Sequence, residues 1–251
     1  MIESPARHTI AVASGKGGVG KSMVTLNLAR ALAEQAAVGI LDADLYGPDI
    51  PAMLGLTRLR DAERWTLWSE DRRRLRPIEE RGLKLMSSAF LLGERQVMPW
   101  SSMTLPFVLR QLVGDVEWGE LDYLLVDLPP GTADLQTEVF KTLPLAGVLL
   151  VVGPQDVAHL DAKKVVTLVR DAGVPLLGAV ENMSGFVCPH CGETHDVFSR
   201  VPPERSLWAD GVERLATIPL DPAFARLNGV PRAFGELAEA LARRLAASSD
   251  R

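Results

Sequence analysis

The run Gly15-Lys16-Gly17-Gly18-Val19-Gly20-Lys21-Ser22 sets glycines, two cations and a hydroxyl in the order G-x-x-x-x-G-K-[ST]. Glycines let backbone N–H groups turn inward around phosphate oxygens, and a following helix adds its positive N-terminal end. Lys21 is expected on the β- and γ-phosphates of ATP, with the Ser22 hydroxyl on Mg²⁺, a hard cation that prefers oxygen. Lys16 is a second cation in the same loop. If two chains met face to face it would reach across and offset charge that develops during γ-phosphoryl transfer.

Two apolar runs end in carboxylates. Val38-Gly39-Ile40-Leu41 leads into Asp42-Ala43-Asp44, and Tyr123-Leu124-Leu125-Val126 into Asp127. Carboxylates at the C-terminal ends of parallel strands stand where ligands bind in open α/β sheets. Asp127 is expected on the magnesium side. Of the earlier pair, Asp42 is assigned to the metal and Asp44 to the attacking water.

The third constellation is Cys188-Pro189-His190-Cys191. The pair reads as a thiol redox site, as half a zinc site with His195 as third ligand, or as an inert loop pair. Tetrahedral zinc and cubane iron–sulfur clusters take four protein ligands. The chain has only these two cysteines, so a metal or cluster bridging a symmetric homodimer satisfies the count.

These groups need a scaffold to hold them. Ile10 to Ala13 reads as the strand before the loop, and Lys21 to Gln35 as the helix after it, with Val24, Leu28, Ala31 and Leu32 on one face. Gly147 to Val152 and Pro175 to Val180 are further buried strands, joined by a helix over Ala162 to Ala172 in a βαβ crossover. Leu215 to Ile218 is a last strand, Ser101 to Val113 a helix, and Gly235 to Ala247 a closing helix aligned by Leu237, Leu241 and Leu245. Tyr46 to Pro51 holds too much Gly and Pro for a regular element and reads as a loop over the nucleotide. Residues 57–82 read as a solvated excursion that ends in a short hairpin through Leu75 to Ile78 and Leu83 to Met86. The fold class is α/β: a mostly parallel twisted sheet with helices on both faces, in a single domain over residues 1–251.

With 251 residues, 47% of them hydrophobic, the chain can bury a sizeable core. Its net charge of −5 argues against nucleic acid, whose binding rests on neutralised phosphates. No run suits a membrane helix or a secretory leader, so a cytoplasmic protein with no membrane partner is expected.

The glycine-rich loop with its second lysine resembles the deviant Walker A loop of the MinD, ParA and nitrogenase-iron-protein class of P-loop ATPases. Asp42 to Pro51, Asp127 to Thr132, Pro154 to Ala158, Glu181 to Ser184 and Cys188 to Glu193 together resemble the Mrp/ApbC family of iron–sulfur cluster carriers. The resemblance implies a slowly ATP-hydrolysing homodimer that holds a [4Fe–4S] cluster between the Cys188 and Cys191 pairs of two chains and passes it to apo-proteins. It makes Lys16 the signature lysine, Asp44 and Asp127 the switch carboxylates and Asn182 an adenine contact. Met23, Trp100 to Met103 and Ser199 to Pro203 depart from the family pattern. Two other roles stand beside it: a MinD- or ParA-like spatial organiser, which calls for a basic face, and a regulatory nucleotide-binding dimer stapled by Zn²⁺.

Overall fold

The computed structural model describes residues 4–45, 47–56, 69, 74–90, 105–131 and 134–249. Its centre is β1 (Ala6–Ala13), whose last four residues are fully buried. Consecutive buried residues mean cover on both sides, which is why the strand reads as an unbroken apolar run. β5 (Leu121–Asp127) and β6 (Gly147–Val152) flank it in parallel. Outside β5 lie β2 (Val38–Asp42) and β4 (Leu83–Ser87), also parallel. β7 (Leu176–Glu181) and β10 (Arg214–Thr217) continue the other side. The order is β10-β7-β6-β1-β5-β2-β4-β3, and only β3 (Ile78–Glu80) runs antiparallel, against β4.

Helices complete the layers. α1 (Lys21–Leu32) packs on α6 (Arg232–Ser249), where Leu237, Leu241 and Leu245 are buried as the sequence periodicity predicts. α3 (Leu105–Gly114) packs on α4 (Asp134–Thr142), and α5 (Asp156–Asp171) packs on β6 and β7. Among the described residues no helix is long and apolar enough to cross a membrane.

Several boundaries differ from the expectation. The hairpin of residues 78–87 forms, but β4 is no part of a solvated excursion. It pairs with β2 over five residues because Leu83, Leu85 and Met86 have a sheet to bury against. Residues 57–68 and 70–73, most of that excursion, lie outside the described residues, as do Thr132 and Trp100 to Met103. The Gly- and Pro-rich segment closes with one helical turn, α2 (Ile50–Met53), because Pro51 falls at its start, where a missing N–H costs nothing. α5 begins six residues before the predicted start, and α4, which the sequence reading did not assign, buries Leu135, Val139 and Phe140. A ribbon of β8 (Phe186–Val187) and β9 (Thr194–His195) pairs with itself alone and carries both cysteines in its loop.

Candidate functional site

Parallel register decides where the carboxylates stand. Val12 and Asp42 are both partners of Asp127, so the end of β1, from which the glycine loop departs, lies beside both acids. The loop turns into α1 through Gly20, whose φ is 80°, and no side chain caps that helix end. The first N–H groups of α1 therefore face the cleft, which suits an anion. Two glycines are required by space. A Cβ on Gly15 would stand 2.3 Å from the Asp161 carbonyl carbon of α5, and one on Gly20 would lie within contact-breaking range of Asn182 Nδ2.

The cleft has a volume of about 280 Å³ and is walled by the glycine loop, with Lys16, Gly17, Gly18, Val19, Lys21 and Ser22, and by Asp44 and Pro130. Asp44 is half-buried, and its Oδ1 accepts from Gly47 N at 3.1 Å. Lys16 is also half-buried on this wall. Asp127 sits beneath, its side chain 1% exposed, and gathers three donors from α1: Lys21 Nζ at 2.7 Å, Ser22 Oγ at 2.6 Å and Thr25 Oγ1 at 2.6 Å. Lys21, Ser22 and the strand-end acid Asp127 thus meet at the base of the cleft.

Asp42 does not share the wall. Its carboxylate is fully buried, accepting from Asp44 N at 3.2 Å and Ser87 Oγ at 3.3 Å. Burial first, and then the neighbouring Asp127 charge, push its acid well above the usual carboxylate range. Asp42 thus stands behind the cleft, where it accepts from the Asp44 backbone and the Ser87 hydroxyl.

Asn182 is wholly buried at the end of β7, and its Nδ2 donates to Val19 O at 2.8 Å while Oδ1 finds no partner among the described residues. Next to it Glu181 faces His159 Nε2 at 3.8 Å, Arg214 at 3.1 Å and Ser184 Oγ at 3.2 Å. His159, then Arg214 and Ser184, hold the Glu181 carboxyl below its ordinary range against the opposing effect of burial.

The cysteines occupy the ribbon loop. Cys188 N donates to Glu193 O at 2.8 Å and Gly192 N to Cys188 O at 2.9 Å, closing a tight turn. Cys188 is half-buried and Cys191 exposed, both as free thiols. N–H groups of Cys191 and His190, with the Cys191 thiol, lower the Cys188 thiol from its ordinary range. His195 lies on the same ribbon with Glu193 3.9 Å away.

Sequence reasoning passed over Thr25 and Gln136. Gln136, buried on α4, donates to Pro129 O at 2.7 Å and so fixes the turn after Asp127 against the glycine loop. Thr25 carried a signal, being a hydroxyl on the apolar face of α1 three residues past Ser22; Gln136 carried none.

Residues 5–242 match the ParA family model described as NUBPL iron-transfer P-loop NTPase. The chain belongs to this family. It is 46% identical over 195 residues to an iron–sulfur cluster carrier protein of Deinococcus radiodurans, covering 77% of this chain and 54% of that one. Against a carrier protein of the same description from Pseudomonas fragi it is 41% identical, over 92% of this chain and 79% of the relative. The chain thus spans little more than half the length of the first of these relatives. Among solved structures it resembles the nucleotide-binding protein of Archaeoglobus fulgidus, in complex with ADP and with cobalt found in it. The TM-score is 0.72 and the identity 35%, over 94% of this chain and 88% of that one. As a P-loop NTPase, this family member carries its phosphate loop, strand-end acids and paired thiols in one framework.

Proposed function

We propose that this chain is an ATP-dependent carrier of iron–sulfur clusters, acting as one P-loop ATPase domain in a homodimer. The observation that carries the reading is the pair of accessible thiols, Cys188 and Cys191, on a ribbon that hangs from the strand touching the phosphate loop. Two thiolates per chain are half of what a [4Fe–4S] cluster takes, and a twin supplies the rest. Family membership and relatives described as iron–sulfur cluster carriers support the same cargo. Apo-proteins with vacant thiolates are the receivers. A reducing compartment such as the cytoplasm keeps the thiols available.

ATP fits the cleft by its chemistry. The open end of α1 and Lys21 suit phosphates, and the orphaned, buried Oδ1 of Asn182 suits an adenine amino donor. Ser22 Oγ and Asp127 Oδ2, 2.6 Å apart, are hard oxygens that would hold Mg²⁺, which supplies charge neutralisation on the phosphates. In hydrolysis a water oxygen bonds to the γ-phosphorus while the bond to the ADP oxygen breaks. Asp44 takes the water proton, and Lys16 of the facing chain balances the charge gathering on the leaving side. Exposed apolar side chains are available to a twin: Val157 and Leu160 on α5, and Val187 and Val197 near the thiols in sequence, are each at least half exposed.

Anaerobic reconstitution with iron and sulfide tests the reading. The expected product is a brown dimer with broad visible absorbance that is absent in Cys188→Ala. Stoichiometric zinc with no cluster would overturn it in favour of a zinc-stapled dimer.

A further inference from the structure

The ribbon holds a donor set that shares only Cys191 with a bridging cluster. Cys191 and Glu193 lie in the loop of the ribbon and His195 on β9, and the turn at Gly192, whose φ is 74°, brings the three side chains together. Glu193 Oε2 stands 3.9 Å from Cys191 Sγ and 3.9 Å from His195 Nε2, and ligand atoms of all three lie within 4.8 Å of one another. An exposed Glu–His contact by itself is ordinary and contributes roughly 0–1 kcal/mol. A thiol at the same carboxylate oxygen changes the chemistry.

We propose that these three residues form a mononuclear site for a zinc-class divalent cation (Zn²⁺, Co²⁺ or Fe²⁺) within a single chain. Tetrahedral bonds of about 2.0–2.3 Å from zinc to N, O and S place ligand atoms roughly 3.3–3.8 Å apart. The two Glu193 separations need to close by about half an ångström, and Cys191 and His195, within 4.8 Å of one another, by up to about 1.3 Å. All three side chains are exposed, so their rotamers can adjust without disturbing a packed neighbour. One thiolate, one imidazole and one carboxylate select a borderline metal over Mg²⁺ or Ca²⁺. The fourth position stays open to water, the arrangement of a site that exchanges its ion rather than one that staples a fold. Because Cys191 also belongs to the bridging pair, an ion held here keeps that chain out of the bridge. The site itself is independent of the carrier reading, since it needs no second chain.

Cobalt(II) is the probe, titrated anaerobically into the full-length protein, with Glu193→Gln and His195→Ala beside it. Each lies on an exposed ribbon, and circular dichroism checks that each variant folds. The expected result is one cobalt per chain in a monomeric fraction, with tetrahedral d–d bands and a thiolate charge-transfer band. Each variant should weaken that affinity at least about tenfold. Equal affinity in all three proteins, or one cobalt for every two chains, would overturn the proposal. Iron–sulfur reconstitution of the same wild-type sample reads the carrier function separately, so either idea can fail while the other stands.

Discussion

Asn182 Nδ2 donates to the Val19 carbonyl over 2.8 Å, so a side chain at the end of β7 is fastened to the loop that faces the phosphates. Cys188 follows six residues later. The contact is tight on both sides, because Gly20 has no room for a Cβ against the same amide. The phosphate loop and the root of the thiol ribbon are thus in direct contact.

Asn182→Ala removes a buried hydrogen bond and leaves the Val19 carbonyl without its donor. Loss of about 1–3 kcal/mol of stability is expected by urea denaturation. Calorimetry should show nucleotide binding at least about tenfold weaker, since a loss near 1.4 kcal/mol corresponds to that factor. Unchanged affinity would free Asn182 from any part in the pocket.

The two lysines of the loop separate binding from turnover. Lys21→Ala should abolish nucleotide binding; it also strands Asp127, at a cost of about 3–5 kcal/mol, so binding must be measured where circular dichroism shows a folded protein. Lys16→Ala should bind nucleotide normally yet turn over about 10³-fold more slowly, the order expected for a charge supplied across an interface. Equal loss of binding in both would rule out the trans role of Lys16.

Gly15→Ala tests the fit of loop to helix. Its methyl would strike the Asp161 backbone, which no rotamer change can relieve, so at least about 1–3 kcal/mol should be lost in chemical denaturation. Gly18→Ala meets nothing within 4 Å and has only its φ of 79° to contend with, about 1–2 kcal/mol. A larger loss at Gly18 than at Gly15 would contradict the packing described.

Glu181 gives a pH dependence. His159, Arg214 and Ser184 lower its pKa below the ordinary 4.5, so the folded state holds its proton less tightly than the unfolded chain. The stability this contributes is fully present above the unfolded value and disappears as pH falls through the folded one. Denaturation midpoints measured from pH 7 down to pH 3 should therefore fall more steeply in the wild type than in Glu181→Gln. Parallel curves would remove Glu181 from the acid response.

Much of the site was legible because each part is local in sequence. The glycine loop names itself by spacing, and Asp127 is the last residue of an apolar run whose length and sharp end mark a buried strand. What escaped depends on distance. Whether Asp42 lies in the cleft wall or behind it is set by how β2 pairs with β4 and β5, and Ser87, its partner, is 45 residues away. The place of β4 in the main sheet was hidden for the same reason: alternating Leu83, Lys84 and Leu85 looks alike in an isolated hairpin and at the border of a large sheet. Gln136 acts through its amide on a turn seven residues back, a contact no periodicity encodes. Nothing in the spacing of the cysteines announced a two-stranded ribbon, since each strand is only two residues long.

That ribbon forms its ladder with itself and adds no strand to the eight-stranded sheet. The thiol loop therefore joins the rest of the molecule through the end of β7 and not through strand pairing, so residues around the thiols can change or lengthen while the ladder of the main sheet is kept.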